Sequence, residues 1–153
     1  MTYKKRIFGA AVVKAVNSNY NADFSGQPRT LPNGTVYATD KAFKYAVKNY
    51  LKDVYPNESV LYFKSFKKNI KDFVPLTLME AFCDLFPNLA EMQDAGTKNE
   101  KVKLKADKIQ IGKNLLNCID VRLFGATFAM KGKTKEENVG ISIHGPVQIN
   151  HGI

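Results

Sequence analysis

The sequence is short of the residues from which metal and redox sites are built. It has two cysteines and two histidines among 153 residues. Cys83 and Cys118 stand in apolar contexts without CxxC spacing, so we expect two buried free thiols and no disulfide. His144 and His151 are seven residues apart, which fits no known zinc motif, and we expect packing or surface roles for both. No metal site is predicted.

The motifs of common enzymes are missing as well. There is no Walker phosphate loop, no GxSxG, no GxGxxG and no cysteine beside a plausible base. Asp23 and Asp40 are candidates for sharing a cation with an RNA phosphate, but turn formation accounts for Asp23 and helix capping for Asp40. We therefore expect a protein that is not an enzyme, with no catalytic residue and no cofactor.

Negative charge and long apolar runs are also scarce. No segment approaches the length of a membrane span, and the start of the chain lacks a cleavage site, so we expect one soluble, cytoplasmic domain without a membrane partner. Asp and Glu number 14 against 23 Lys and Arg, which gives a formal net charge of +9. A chain this basic attracts polyanions: RNA, DNA or an acidic membrane surface. Charge alone does not choose among them.

A continuous apolar run, Arg6 to Val16, leads directly into a polar loop, Asn17 to Arg29. The run is rich in Val, Ile and Ala and does not alternate, which predicts a strand buried on both faces in the centre of a sheet. The loop combines Asn, Asp and Gly, which tolerate left-handed backbone, with Pro28, which fixes a turn. We interpret the loop as an ordered binding edge, and a solvated turn without a ligand is the alternative.

The next segment predicts a hairpin and then a helix. Asn33-Gly34 marks a tight turn between 29–31 and 35–37. Thr39 and Asp40 are typical of a helix start, and the helical pattern runs to Lys52. Two stripes follow this helix, an apolar one of Phe43, Ala46, Val47, Tyr50 and Leu51, and a basic one of Lys41, Lys44, Lys48 and Lys52. Because acidic residues four positions away are nearly absent, we predict that the basic stripe faces a polyanion.

Later segments mix helix and strand. Residues 53 to 112 are too long for a simple connection, which predicts an insertion with an apolar helix around 76–85. Inside it, Lys101 to Ala106 alternates as an edge strand would. Asp120 to Ala129 predicts a helix in which Gly125 permits close packing. Gly140 to Ile149 predicts a strand interrupted at Gly145-Pro146.

Single-stranded nucleic acid is the ligand that these features favour. It requires a basic track and flat groups for stacking, without a precise catalytic triad. The lysine stripe supplies the track, and Arg29 with the Asn-rich loop supplies hydrogen bonds. Three aromatic residues are candidates for stacking bases: Tyr20, Phe24 and Tyr37.

Four motifs, in order, carry a family resemblance. They are Gln27-Pro28-Arg29, the segment Ala38 to Val47, the segment Asp120 to Ala126, and Gly145 to Ile149. Together they closely resemble the crRNA-binding backbone subunit of type I CRISPR effector complexes (Cascade), most of all its type I-B branch.

The resemblance implies an α+β fold with an incomplete ferredoxin-like (RRM-type) core and a partly helical insertion after the first helix. Residues 1–53 and 114–153 would form parts of this core, the palm, and 54–113 a fingers-like region. The match ends after the strand at 145–148, where family members continue through a thumb. It therefore implies only the N-terminal half, and we expect such a half-sheet to associate when purified alone.

The resemblance also implies a function and its partners. The subunit would be non-catalytic, would polymerise along the crRNA as a head-to-tail helical filament with other Cascade subunits, and would support target DNA pairing through the guide. Its contacts would go to phosphate and sugar. The RNA-binding residues would be Asn17, Asn19, Asn21, Arg29, Lys41, Lys44, Lys48, Arg122 and Gln148.

Two alternatives stay open. The type III relatives of this family cut target RNA with an aspartate in the loop after the first strand, which would make the chain a metal-dependent endoribonuclease subunit acting through Asp23. The other alternative is a general RNA-binding module unrelated to CRISPR.

Overall fold

A computed structural model describes residues 4–67, 73–93, 101–104, 107–130 and 138–153. These residues combine helices with two-stranded antiparallel sheets, which confirms the predicted α+β character. The helices are α1 (Asp40–Val54), α2 (Leu78–Leu85), α3 (Lys108–Asn117) and α4 (Ile119–Phe124), and the strands are β1 (Ala90–Gln93), β2 (Lys101–Leu104), β3 (Gly125–Met130) and β4 (Val139–His144).

The predicted hairpin and first helix are both present. Thr30 pairs with Val36 across the Asn33-Gly34 turn, and the N–H of Leu31 donates to the carbonyl of Thr35 at 2.9 Å. Thr39 is the extended residue before α1, although its side chain makes no capping hydrogen bond. The local turn and helix-start signals were therefore sufficient to place both elements.

The segment before α3 contains the predicted helix and edge strand. A capping box starts α2: the Thr77 hydroxyl accepts from the N–H of Glu80, whose carboxylate accepts from the N–H of Thr77. Strand β1 pairs with β2 in the register Ala90 to Leu104, which confirms a strand over 101–104. The remainder of the predicted strand, 105–106, lies outside the described residues. The proposed boundary at 113 falls within α3, and the division into palm and fingers stays a prediction.

The prediction of a helix over 120–129 is wrong in its second half. Helix α4 ends at Phe124, where Gly125 adopts a φ of 74° that a continuing helix does not allow. Residues 125–130 instead form β3, which pairs antiparallel with β4 from Gly125 opposite His144 to Met130 opposite Val139. A glycine in this conformation stops the helix, and the alternating burial around Phe128 then suits a strand. The predicted strand in 140–149 is confirmed up to His144.

The predicted central strand at 6–16 is wrong for this structure. The segment forms no strand and its apolar side chains are exposed, with Val12 at 94% and Phe8 at 86%. A strand requires a neighbour to accept and donate its backbone hydrogen bonds, and no described residue pairs with 6–16. The apolar pattern indicates that the segment tends to be buried, but it does not show which strand would pair with it.

The hydrophobic core lies between α2, α3, α4 and β3. Phe82 of α2 packs on Phe128 of β3 with ring centroids 5.0 Å apart. Cys83 and Cys118 are buried free thiols, as predicted, and burial raises the pKa of the Cys118 thiol to about 12. The buried cluster consists of Leu61, Phe82, Ile111, Leu115, Cys118, Val121 and Phe128.

Candidate nucleic-acid interface

The polar loop at 17–29 is an ordered turn. Asp23 Oδ1 accepts hydrogen bonds from the N–H and hydroxyl of Ser25 and from the N–H of Gln27, at 2.7 to 3.0 Å. The Ser25 hydroxyl holds the pKa of Asp23 below its usual value. Asn19 Nδ2 donates to the carbonyl of Gly26 at 3.0 Å, and Asn17 has a left-handed φ of 49°. Turn chemistry therefore accounts for Asp23, as expected.

Asn21 fastens this loop to the first helix. Its Oδ1 accepts from the N–H of Thr39 at 2.9 Å and from the Thr39 hydroxyl at 3.2 Å. The N–H of Asp40 donates to Nδ1 of His151 at 3.2 Å. Two of the N–H groups at the start of α1 thus find side-chain partners far away in sequence.

Three predicted RNA-binding residues, Asn21, Arg29 and Lys41, meet in a cleft of about 470 Å³ beside this helix start. Within the described part of the chain, Nε of Arg29 is buried without a hydrogen-bond partner, while Lys41 is exposed. Arginine and lysine are side chains that bind phosphate in proteins, and the Asp40 carboxylate lines the same cleft. We call these residues, with their cleft, the loop–helix site.

A larger cleft of about 990 Å³ adjoins this site. It brings together the predicted residues Asn19, Asn21 and Gln148 with Tyr20 and Tyr37, two of the candidate stacking residues. Exposed apolar residues of the segment 7–13 line it as well. This combination of amide, aromatic and aliphatic groups can accept a base or sugar as readily as an apolar side chain.

The other lysines of the basic stripe have partners within the protein. Lys44 pairs with Asp40 at 2.8 Å, an i, i+4 contact whose hydrogen bond holds the pKa of Asp40 below its usual value. Lys48 Nζ donates to the carbonyl of Tyr62 at 3.1 Å and lies 3.7 Å from Oδ2 of Asp120. Burial lowers the pKa of Lys48. RNA contact by Lys44 and Lys48 stays a prediction.

The same stripe packs over aromatic rings. The Nζ atoms of its three later lysines lie 4.7 to 5.7 Å from the ring centroids of Phe124, Tyr62 and Phe63, in the order Lys44, Lys48 and Lys52. Such cation–π contacts stabilise each charge where it leaves water. The lysine face therefore contacts the rest of the protein as well as solvent, which its spacing did not predict.

Asp120 is a buried residue that organises this region, a role that neither composition nor spacing predicted. The residue is 1% exposed, and its two carboxylate oxygens accept from the N–H groups of Leu61 (3.0 Å) and Tyr62 (2.8 Å). Burial, together with this carboxylate, raises the pKa of Tyr62 to about 12. The sequence signal for this role of Asp120 was the presence of an acidic residue inside the apolar segment 114–130.

The remaining predicted residues lie outside the loop–helix site. Arg122 Nη2 donates to Oε2 of Glu58 at 2.7 Å in a partly exposed pair. Gln148 Nε2 donates to the carbonyl of Gly145 at 2.9 Å. Both side chains keep free hydrogen-bonding capacity, so their contact with RNA stays a prediction.

Residues 4–67, 73–93, 101–104, 107–130 and 138–153 contain neither a metal-ligand cluster nor a membrane-spanning helix. In those ranges, no three His, Cys, Asp or Glu side chains are grouped as metal ligands would be. No helix there is long and apolar enough to cross a membrane.

These features define an α+β protein of strongly basic character whose polar loop and first helix border a cleft lined by Arg29 and Lys41. A family model described as CRISPR-associated protein Cas7 matches residues 5–153. The chain belongs to the Cas7 family of CRISPR-associated proteins, and this membership suggests the role of a CRISPR effector backbone protein. The family implies crRNA and other Cas subunits as partners. Searches of the curated proteins and of the solved structures found no match.

Proposed function

We propose that this chain is a non-catalytic, crRNA-binding backbone subunit of a Cascade complex of the type I-B branch. The observation that carries the proposal is the family match, which spans residues 5–153. Copies of the subunit would stack head to tail along the guide in an open helical filament around an RRM-type core. They would hold the guide while its bases pair with target DNA.

The loop–helix site is the proposed contact with the crRNA backbone. Asn21 fixes the loop against Thr39, and Arg29 and Lys41 both line the same cleft. Lys41 is exposed, so a phosphate in the cleft can reach its ammonium group. Such contacts are independent of sequence, as a subunit that binds guides of many sequences requires.

Salt-dependent RNA binding tests this site. Purified chain is titrated into a fluorescent single-stranded RNA at several salt concentrations. Arg29→Gln and Lys41→Gln should each weaken binding and flatten the slope of log K against log salt by about 0.7 per lost phosphate contact. The control is Lys113→Gln, which removes an exposed lysine of α3. Unchanged slopes in both site variants would reject the site. Separately, RNA of uniform, repeat-derived length that co-purifies with the protein would identify the ligand as crRNA.

The non-catalytic role has a separate test. The three donors on Asp23 Oδ1 support it, because a carboxylate used by a turn is poorly placed to hold a metal. The assembled complex is incubated with complementary RNA and magnesium, and we expect the RNA to remain intact. Periodic cleavage that disappears in Asp23→Ala would favour the type III-like endoribonuclease instead.

A further inference from the structure

We propose that Tyr45 and Phe63 form a platform on which a base of single-stranded RNA stacks, with Lys52 beside it. This inference rests on the proposed function and adds a base contact to it. Its rings are not part of the loop–helix site. We call Tyr45, Phe63 and Lys52 the stacking platform.

The two rings are already arranged as the start of a stack. Tyr45 of α1 and Phe63 have centroids 5.2 Å apart and planes only 13° from parallel. Tyr45 is 58% exposed. A base placed on the face of Tyr45 opposite Phe63 would continue the stack.

Other exposed ring pairs do not offer this geometry. Tyr50 of the same helix is 57% exposed, but it meets Tyr55 at an interplanar angle of 73°. Phe66 meets Phe73 at 90°. A base that stacks on one ring of an edge-to-face pair does not continue a stack of parallel rings. The near-parallel Tyr45–Phe63 pair offers such a stack, which is the reason for choosing it.

The platform is held in place by the Asp120 network. Asp120 accepts from the N–H groups of Leu61 and Tyr62, immediately before Phe63 in the chain. Lys48 also binds the carbonyl of Tyr62, and the N–H of Phe63 donates to the carbonyl of Leu61 at 2.9 Å. A ring that is fixed before binding loses little conformational entropy when a ligand stacks on it.

The charges around the platform suit a polyanion. Nζ of Lys52 lies 4.7 Å from the Phe63 centroid, and its residue is exposed. Lys41, also exposed, is one helical turn before Tyr45. Flat rings flanked by positive charge are what proteins use to bind single strands without sequence preference, because every base has a π-face.

A fluorescence experiment tests the platform. The full chain is titrated with a single-stranded oligoribonucleotide that carries 2-aminopurine, whose emission falls when it stacks. Tyr45→Leu should weaken binding roughly 5- to 150-fold and abolish the quenching. Tyr45→Phe should keep both, because the ring and not the hydroxyl is required. The matched control, Tyr50→Leu, removes an equally exposed tyrosine of the same helix and should change neither.

Three results would overturn the inference alone. One is a Tyr45→Leu variant with the same RNA affinity and quenching as Tyr50→Leu, while Lys41→Gln still weakens binding. This result would leave the proposed function intact. Another is a Tyr45→Phe variant as weak as Tyr45→Leu. Ultraviolet cross-linking of the unaltered chain to RNA gives an independent readout, and cross-links confined to aromatic residues other than Tyr45 and Phe63 would be the third. Wild-type chain that binds no RNA would overturn the proposed function together with the platform.

Discussion

At the scale of single residues, one buried carboxylate connects three parts of the chain. Asp120 belongs to α4, accepts hydrogen bonds from Leu61 and Tyr62, and lies beside Lys48 of α1. Hydrogen bonds to a charged acceptor are stronger than those between neutral groups, and a buried charge is stable only when such partners surround it. The position of the 59–63 segment therefore depends on a residue about 60 positions later.

Asp120→Asn should lower the free energy of unfolding by about 3 kcal/mol, since it leaves the half-buried Lys48 without its charged partner and turns an acceptor atom into a donor. Urea denaturation measures the loss. Glu58→Gln is the control: it breaks the partly exposed pair with Arg122 and should cost less than about 1 kcal/mol. Equal, small losses in both variants would contradict a structural role for Asp120.

At the scale of elements, α1 illustrates how a helix can present a face that its sequence does not reveal. Its apolar and basic stripes were both visible in the spacing, but none of its residues is fully buried. Three of its lysines lie over aromatic rings and Lys48 also lies beside Asp120, so the long aliphatic stems pack while these charges keep partners. An amphipathic pattern predicts the two stripes, but the tertiary structure determines which neighbouring segments contact each stripe.

The stability of the protein should depend strongly on two glycines at the junction of β3 with the end of β4. A Cβ on Gly125, whose φ is 74°, would overlap the carbonyl oxygen of Ile143, and one on Gly145 would overlap the backbone of Leu123 to Gly125. Gly125→Ala and Gly145→Ala should each lower the free energy of unfolding by at least about 3 kcal/mol. Thermal and urea denaturation measure both.

Gly112→Ala provides the matched control for those two substitutions. Gly112 lies inside α3, and a Cβ there meets no atom within 4 Å. Alanine should therefore raise the free energy of unfolding by about 0.5 to 1 kcal/mol, because glycine loses more backbone entropy in a helix. The prediction fails if all three alanine variants change stability alike.

At the scale of the whole molecule, apolar surface remains exposed on one side. Five large apolar side chains between residues 7 and 16 are at least half exposed. Residues 7–13 line the 990 Å³ cleft together with the segment 148–153. Apolar surface of this extent tends to be covered by other molecules. The exposed apolar surface is consistent with the expectation that the chain associates when purified alone. Association itself stays a prediction.

Replacing Phe8 with Ser and Val12 with Thr together should reduce this association. The two side chains are 86% and 94% exposed, so the change removes apolar area from the surface without opening the core. Light scattering and sedimentation at fixed protein concentration measure the effect. Ile109→Thr, at a single exposed isoleucine of α3, should leave association unchanged. Wild-type chain that remains monomeric would contradict the prediction.

Local signals were sufficient for much of the fold. The Asn33-Gly34 turn, the start of α1, the apolar helix α2 and the strand β4 depend on residues within a few positions of one another. The strand at 6–16 and the second half of the helix at 120–129 were wrong, because strand pairing and the φ of Gly125 depend on distant neighbours. In the candidate site, the helical spacing indicated Lys41 and the polar loop indicated Arg29, but neither pattern predicted Asp120 or the Tyr45–Phe63 stack.

The sequence by itself determined the basic charge, the scarcity of catalytic and metal-binding residues, the polar loop with its turn chemistry, and the ordered motifs that resemble the CRISPR backbone subunits. Only the tertiary structure decided that Asn21 binds Thr39, that Lys48 lies beside Asp120, and that Phe63 stacks on Tyr45. Each of these contacts joins residues at least 18 positions apart. Composition and periodicity act over one or two turns, whereas such pairs form only when burial brings distant segments together.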